Sequence, residues 1–239
     1  MLSIDLNADL GEGFGPYQIP NQSEILKHVT SVNIACGFHS GDPSIMRQTV
    51  QLAVENKVKI GAHPGLPDLL GFGRRHIDIS PREAYDIVVY QIGALQAFLT
   101  SFNETMQHVK PHGALYNMAA KDPKLAEAIA QAVYDVSPDL LLYGLSESEL
   151  TKAGEKVGLK TVHEVFADRT YQKDGSLTPR SMENAIITDP SKSLEQILRF
   201  IQDKEVFTTE VDVIPLRANS ISDYKKEEKA LQFVKEIKE

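Results

Sequence analysis

Four successive segments of strand length alternate apolar with polar residues, in a chain whose wider pattern demands a parallel sheet. Ile4, Leu6 and Ala8 fall on one face of the first segment, and Asp5, Asn7 and Asp9 on the other. In the second, Val32, Ile34 and Cys36 oppose Ser31, Asn33 and Ala35. The third sets Ile60 and Ala62 against Lys59, Gly61 and His63, and the fourth sets Val109 against His108, Lys110 and His112. A parallel strand covered by apolar surroundings on both faces reads as a nearly continuous hydrophobic run. These four do not. Their apolar faces are free to pack on helices, so their polar faces have to line a polar interior, as in a closed barrel.

The strand candidates are 3–9, 31–36, 59–63, 108–112, 140–145, 160–166 and 211–217. Helix-length segments with clear start signals lie between them. Asp42-Pro43 opens one that carries Met46, Val50 and Ala53. Ser80-Pro81-Arg82-Glu83 is a capping box with proline at the first helical position. It leads into Ala84, Ile87, Val88, Gln91, Ile92, Leu95, Phe98, Leu99 and Phe102, close to a pure helical period. Asp122-Pro123 and Asp189-Pro190 start two more, Ser146 is the expected cap of a shorter one, and 225–239 reads as a last amphipathic helix. Strand and helix alternating about seven times without a low-complexity linker predict βαβ units. The expected fold is α/β: one domain over residues 1–239, a (β/α) barrel of about seven parallel strands. An open doubly wound sheet is the second choice.

Composition narrows the function. A chain of 239 residues with 42% hydrophobic and 24% charged residues can bury a large core. Its net charge of −8 argues against unspecific binding to nucleic acid or anionic membranes. The single cysteine, Cys36, excludes a disulfide framework and a Cys-rich zinc site, and reads as structural. Asp5, Asp9 and Glu12 stand where a signal peptide needs a basic flank and an apolar run, so a cytoplasmic location is expected. Neither a P-loop nor a G-x-G-x-x-G fingerprint occurs.

Asp9, Glu12, His39, His63 and His112 all fall at or just past the C-terminal ends of the first four strands, the end at which α/β barrels build their sites. Mixed histidine and carboxylate ligands suit zinc, iron or manganese, with Asp9, His39 and His63 as the metal candidates. The same groups without a metal suit general acid–base work. Both remain open at this point. Arg74 and Arg75, after Gly71-Phe72-Gly73, offer planar bidentate recognition of a carboxylate or phosphate.

The stretches 5–12 (DLNADLGE), 33–43 (NIACGFHSGDP), 61–64 (GAHP), 71–75 (GFGRR), 109–116 (VKPHGALY) and 164–169 (EVFADR), in that order, resemble the LamB/YcsF family. The resemblance implies a seven-stranded barrel of the glycoside hydrolase/deacetylase type. It also implies hydrolysis of 5-oxo-L-proline to L-glutamate coupled to hydrolysis of ATP, a cosubstrate, to ADP and phosphate. The chain would be the A component of that 5-oxoprolinase, working in complex with subunits B and C, with a divalent metal as an open addition. Under this reading Asp9, Glu12, His63, Lys110 and His112 are the catalytic candidates. Asn7, Asn33, His39, Arg74, Arg75, Tyr116, Glu164 and Asp168 are the substrate-binding ones. Lys110 and the arginines would stabilise a carboxylate or a phosphorylated oxyanion, and Asp9, Glu12 or a histidine would activate water.

Two rival readings stand beside it. Asn7-Ala8-Asp9 also resembles the start of a metal-dependent carbohydrate deacetylase family, although Leu10 replaces that family's second aspartate. The other rival is a non-catalytic, divergent paralogue of the A component. It is suggested by the end of the chain, where LamB/YcsF members carry Cys-Val-His-Gly-Asp after the last strand and this chain has Ser222-Asp223-Tyr224. Reduced activity is the expectation if the missing histidine takes part in the reaction.

Overall fold

The computed structural model describes residues 4–17 and 19–222. Six parallel strands run in chain order: β1 (Asp5–Leu10), β2 (Ser31–Ala35), β3 (Lys59–His63), β4 (His108–Val109), β5 (Leu141–Leu145) and β6 (Lys160–Phe166). A two-stranded antiparallel pair follows, β7 (Glu205–Phe207) with β8 (Val213–Pro215), and then β9 (Ser220–Ser222). β9 pairs in parallel with both β6 and β1 and closes a seven-stranded barrel. Outward residues such as Val32, Ile34, Val109, Leu142, Val165 and Ile221 are fully covered.

The seventh barrel strand is therefore not 211–217. Val211 takes a left-handed backbone conformation, which a β-branched residue rarely does, and Val213 is half exposed. That apolar run forms an arm of the antiparallel pair outside the barrel. The true closing strand is three residues, Ser-Ile-Ser, too short and too polar to announce itself. Its serines face the polar interior, where Ser220 Oγ accepts from Asn7 Nδ2 at 2.8 Å. The expected helix over 225–239 lies outside the described residues.

The helices are α1 (Gln22–Ile25), α2 (Pro43–Glu55), α3 (Pro81–Ser101), α4 (Gly113–Ala119), α5 (Pro123–Val136), α6 (Glu149–Val157) and α7 (Pro190–Gln202). Ser80 and Glu83 form the expected reciprocal capping box. Of the predicted stripe of α3, Ala84, Val88, Gln91, Ile92, Leu95 and Leu99 are buried, whereas Ile87, Phe98 and Phe102 are partly exposed and Phe102 caps the helix end. The cap of α6 is Ser148 rather than Ser146. The Ser146 hydroxyl instead accepts from Arg217 N at 2.9 Å. Buried Gln91 on α3 clamps the loop after β3 with two 2.9 Å bonds, accepting from Gly65 N and donating to Gly65 O. This fixes the loop that backs the site. Among the described residues no helix is long and apolar enough to cross a membrane.

Asp42 caps α2, accepting from Ser44 N at 2.8 Å and Ile45 N at 3.0 Å, and its other oxygen accepts from Gly15 N at 2.8 Å. These backbone bonds, Ile45 foremost, lower its pKa. Asp42→Ala is expected to cost about 1–2 kcal/mol in urea denaturation at neutral pH. The wild-type advantage exists while the carboxylate is ionised, so it should shrink as pH falls below about 4 and through the lowered folded-state pKa.

Candidate active site

The barrel interior is a polar network built from the inward face that strand parity identifies. Asn7, fully buried on β1, spends its whole amide: Nδ2 donates to Glu164 Oε1 at 2.9 Å and to Ser220 Oγ, while Oδ1 accepts from Asn33 Nδ2 at 2.7 Å. Asn33 Nδ2 also donates to Asp9 Oδ1 at 2.8 Å, and its Oδ1 accepts from His108 Nε2 at 2.7 Å. Burial pushes the His108 imidazole down to about 3, so it serves as a neutral donor. The His108 ring lies where a β-carbon on Gly61 would project, so only glycine fits at that β3 position. This layer supports Asp9 and Lys110 above it.

Lys110, one residue beyond β4, stands at the centre. Its Nζ is 2.7 Å from Glu164 Oε1 and 3.1 Å from Asp9 Oδ1, and it donates to Asn7 Oδ1 and Ser222 Oγ at 3.1 Å each. Burial works against the ammonium, but Asp9 and Glu164 outweigh it and hold its pKa above the ordinary value. Burial likewise works against the Asp9 carboxylate, yet His63 and Lys110 keep it ionised well below the usual range. Tyr116, presented by α4, donates its hydroxyl to Glu164 Oε2 at 2.8 Å. Burial and the Glu164 charge keep that phenol protonated.

Beside this cluster lie three histidines and a carboxylate. His39 comes from the loop after β2, His63 ends β3, His112 precedes α4, and Glu12 follows β1. The His39 and His112 rings stack with centroids 3.7 Å apart, and His63 Nε2 is 2.9 Å from His112 Nδ1. Glu12 Oε1 is 3.6 Å from both His39 Nε2 and His112 Nδ1. All four residues are buried, and one ligand atom from each lies within 4.8 Å of the others.

A cavity of about 710 Å³ opens over this floor. Asp9, His63, Lys110, His112, Tyr116 and Arg74 line it. Asn7, Asn33 and Glu164 lie in the buried layer beneath, and Glu12 and His39 stand behind the lining histidines. The two neighbouring arginines separate: Arg74 sits over the Phe72 ring at the cavity wall, whereas Arg75 turns away to pair with Asp68. Asp168 is buried past the end of β6, where its backbone carbonyl accepts from Ile187 N, and it is not among the cavity-lining residues. Cys36 is buried and bonded to Ile34 O, its thiol pushed up to about 12 by burial, as suits a structural role.

Four residues that bear on the site are not among the candidates named from the sequence. His108 and Ser222 sit in the network, and Arg169 and Arg180 line the cavity. His108 lies on the polar face of its strand, and Arg169 follows β6 at the end where sites form, so parity and position carried a signal for these two. Burial lowers the Arg169 guanidinium to about 10, and its nitrogens donate to Ala185 O and Thr178 O.

A closed parallel barrel with its polar groups converging at the C-terminal ends of the strands defines an α/β-barrel protein, with its candidate site at the end where the βα loops meet. A GH113 β-1,4-mannanase, 10% identical with a TM-score of 0.52 over 92% of this chain and 87% of its own, shares that fold alone. The LamB/YcsF family pattern matches residues 4–239, and the chain belongs to that family. It is 60% identical to the A subunit of 5-oxoprolinase from Brevibacillus brevis, over 100% of this chain and 94% of that protein. The crystal structure of a lactam utilization protein from Thermus thermophilus superposes with a TM-score of 0.90 at 41% identity, covering 98% of this chain and 94% of that one.

Proposed function

We propose that the chain is the A component of an ATP-dependent 5-oxoprolinase. It would open the lactam of 5-oxo-L-proline to L-glutamate while ATP goes to ADP and phosphate, in an assembly with subunits B and C. The observation that carries this reading is the Asp9–Lys110–Glu164 cluster, with Tyr116, at the floor of a cavity walled by Arg74, Arg169 and Arg180. The names of the B. brevis and T. thermophilus relatives support it.

A lactam carbonyl is a weak electrophile, and phosphorylation of its oxygen prepares it for attack by water. The Lys110 ammonium suits the charge on that oxygen. Asp9, ionised and open to the cavity, suits removal of a proton from the attacking water. Asp9, once it carries the proton taken from water, can pass it to the departing ring nitrogen, while Tyr116, held protonated, fixes Glu164. Arg74 and Arg180 suit the substrate carboxylate and the phosphate groups, and Arg169, bonded to Ala185 O and Thr178 O, braces the wall between them. Asn7, Asn33 and Glu164 hold Asp9 and Lys110 in register.

Reconstitution with both partner subunits is expected to give 5-oxoproline-dependent release of phosphate, with none from this chain by itself. Turnover by the single chain, or an assembly that ignores 5-oxoproline, would refute the proposal. The Glu12–His39–His63–His112 cluster favours a second reading, a metal-dependent deacylase acting without partners. Release of acetate from an N-acetylated sugar by the single chain would support that instead.

A further inference from the structure

We infer that Glu12, His39, His63 and His112 form a binding site for one divalent transition-metal ion of the zinc class, beside the Asp9–Lys110 pair and distinct from it. Two backbone carbonyls set the tautomers of its histidines. His63 Nδ1 lies 2.7 Å from Lys110 O, and His112 Nε2 lies 2.8 Å from Phe72 O. A carbonyl oxygen only accepts, so each of these ring nitrogens carries the hydrogen. In the neutral imidazoles the other two nitrogens, His63 Nε2 and His112 Nδ1, are then bare lone pairs. These face each other at 2.9 Å, and Asp9 Oδ2 lies 3.4 Å from the same His63 nitrogen, so a positive charge is called for there. Two lone pairs at that distance repel unless a cation or a shared proton lies between them.

Three features favour a metal ion. Histidine ligands nearly always donate their second ring nitrogen to a carbonyl or carboxylate, which fixes the tautomer, and both rings do so here. The Glu12 carboxylate and the His39 ring come to the same point, giving three imidazoles and one anionic oxygen within 4.8 Å. That donor set suits zinc, cobalt or iron rather than calcium or magnesium, which prefer oxygen. Tetrahedral zinc with bonds of about 2.0–2.1 Å sets its nitrogens roughly 3.3 Å apart, so the His63 and His112 nitrogens need part by only a few tenths of an ångström. Glycines permit the convergence: a β-carbon on Gly65 would come within 2.5 Å of His39 Nδ1, and one on Gly73 within 2.6 Å of His39 Cβ. Asp9, a candidate ligand from the sequence, has Oδ1 engaged by Lys110 and Asn33 and only borders the site, with Oδ2 3.4 Å from His63 Nε2; Glu12 and His112 complete the set in its place.

The test is calorimetric titration of the chelator-treated full chain with ZnCl₂, alongside elemental analysis and the visible absorption of a Co²⁺-loaded sample. The expected result is about one ion per chain and a Co²⁺ band of nitrogen–oxygen ligation. His112→Gln and Glu12→Gln should each weaken binding by at least about 10–100-fold, while His28→Gln, outside the cluster, leaves it unchanged. If His112→Gln does not fold by circular dichroism, Glu12→Gln, which keeps the side-chain shape, carries the comparison. An ion count near zero, a missing Co²⁺ band, or affinity untouched by Glu12→Gln would overturn the site and leave a shared proton between the two histidines. The titration uses this chain alone, so its failure leaves the 5-oxoproline reading standing, and an inactive assembly leaves the ion site standing.

Discussion

Lys110→Met is expected to lower the stability of the chain by about 3–5 kcal/mol, a drop of roughly 6–20 °C in melting temperature for a protein of this size. The methionine fills nearly the same volume, so the loss comes from charge. Asp9 and Glu164 both point at the ammonium, at 3.1 and 2.7 Å; Glu164 is fully buried, and Asp9 shows only 8% of its side chain, at the cavity floor. Without it they face one another as uncompensated buried anions. A second change identifies the cause: Lys110→Met combined with Glu164→Gln should recover a substantial part of the loss, because one of the two anions is gone. Additive effects of the two substitutions in denaturation would show that packing rather than charge is at stake.

Asp9→Asn is expected to leave the fold nearly intact and to lower kcat in the reconstituted assembly by roughly 10²–10⁴-fold, with a smaller change in the KM for 5-oxoproline. The asparagine amide keeps an oxygen for Lys110 and Asn33, so the network has little reason to rearrange, but it cannot take a proton from water. A fall confined to KM would assign Asp9 to binding and remove it from the chemical step. Zinc uptake by this variant should match the wild type, because Glu12 rather than Asp9 supplies the anionic ligand in the proposed ion site.

The polar inward face that singles out a barrel was legible in the sequence because side chains alternate along any strand, whatever its partners. Asn7, Asn33, Asp9, His63 and Lys110 all sit on that face, and the capping box at Ser80 and the proline-led helix starts were equally local signals. Position past the strand ends likewise brought Glu12, His39 and His112 into consideration, since the βα loops of a barrel share one end.

Whatever depended on contacts between distant segments was not legible. The closing strand is Ser220–Ser222, identified by its pairing with β1 and β6 and not by any apolar pattern of its own. Arg74 and Arg75 are equivalent as letters, yet one reaches the cavity and the other is taken by Asp68, because consecutive side chains leave the backbone in different directions. Asp9 pairs with Lys110 across 101 residues, and Glu12, three residues further on, joins the histidines instead. The carbonyls of Lys110 and Phe72 determine which nitrogens of His63 and His112 turn inward. Periodicity tells which face a side chain occupies, whereas the partner across the barrel follows from strand register and closure, which only the folded chain has.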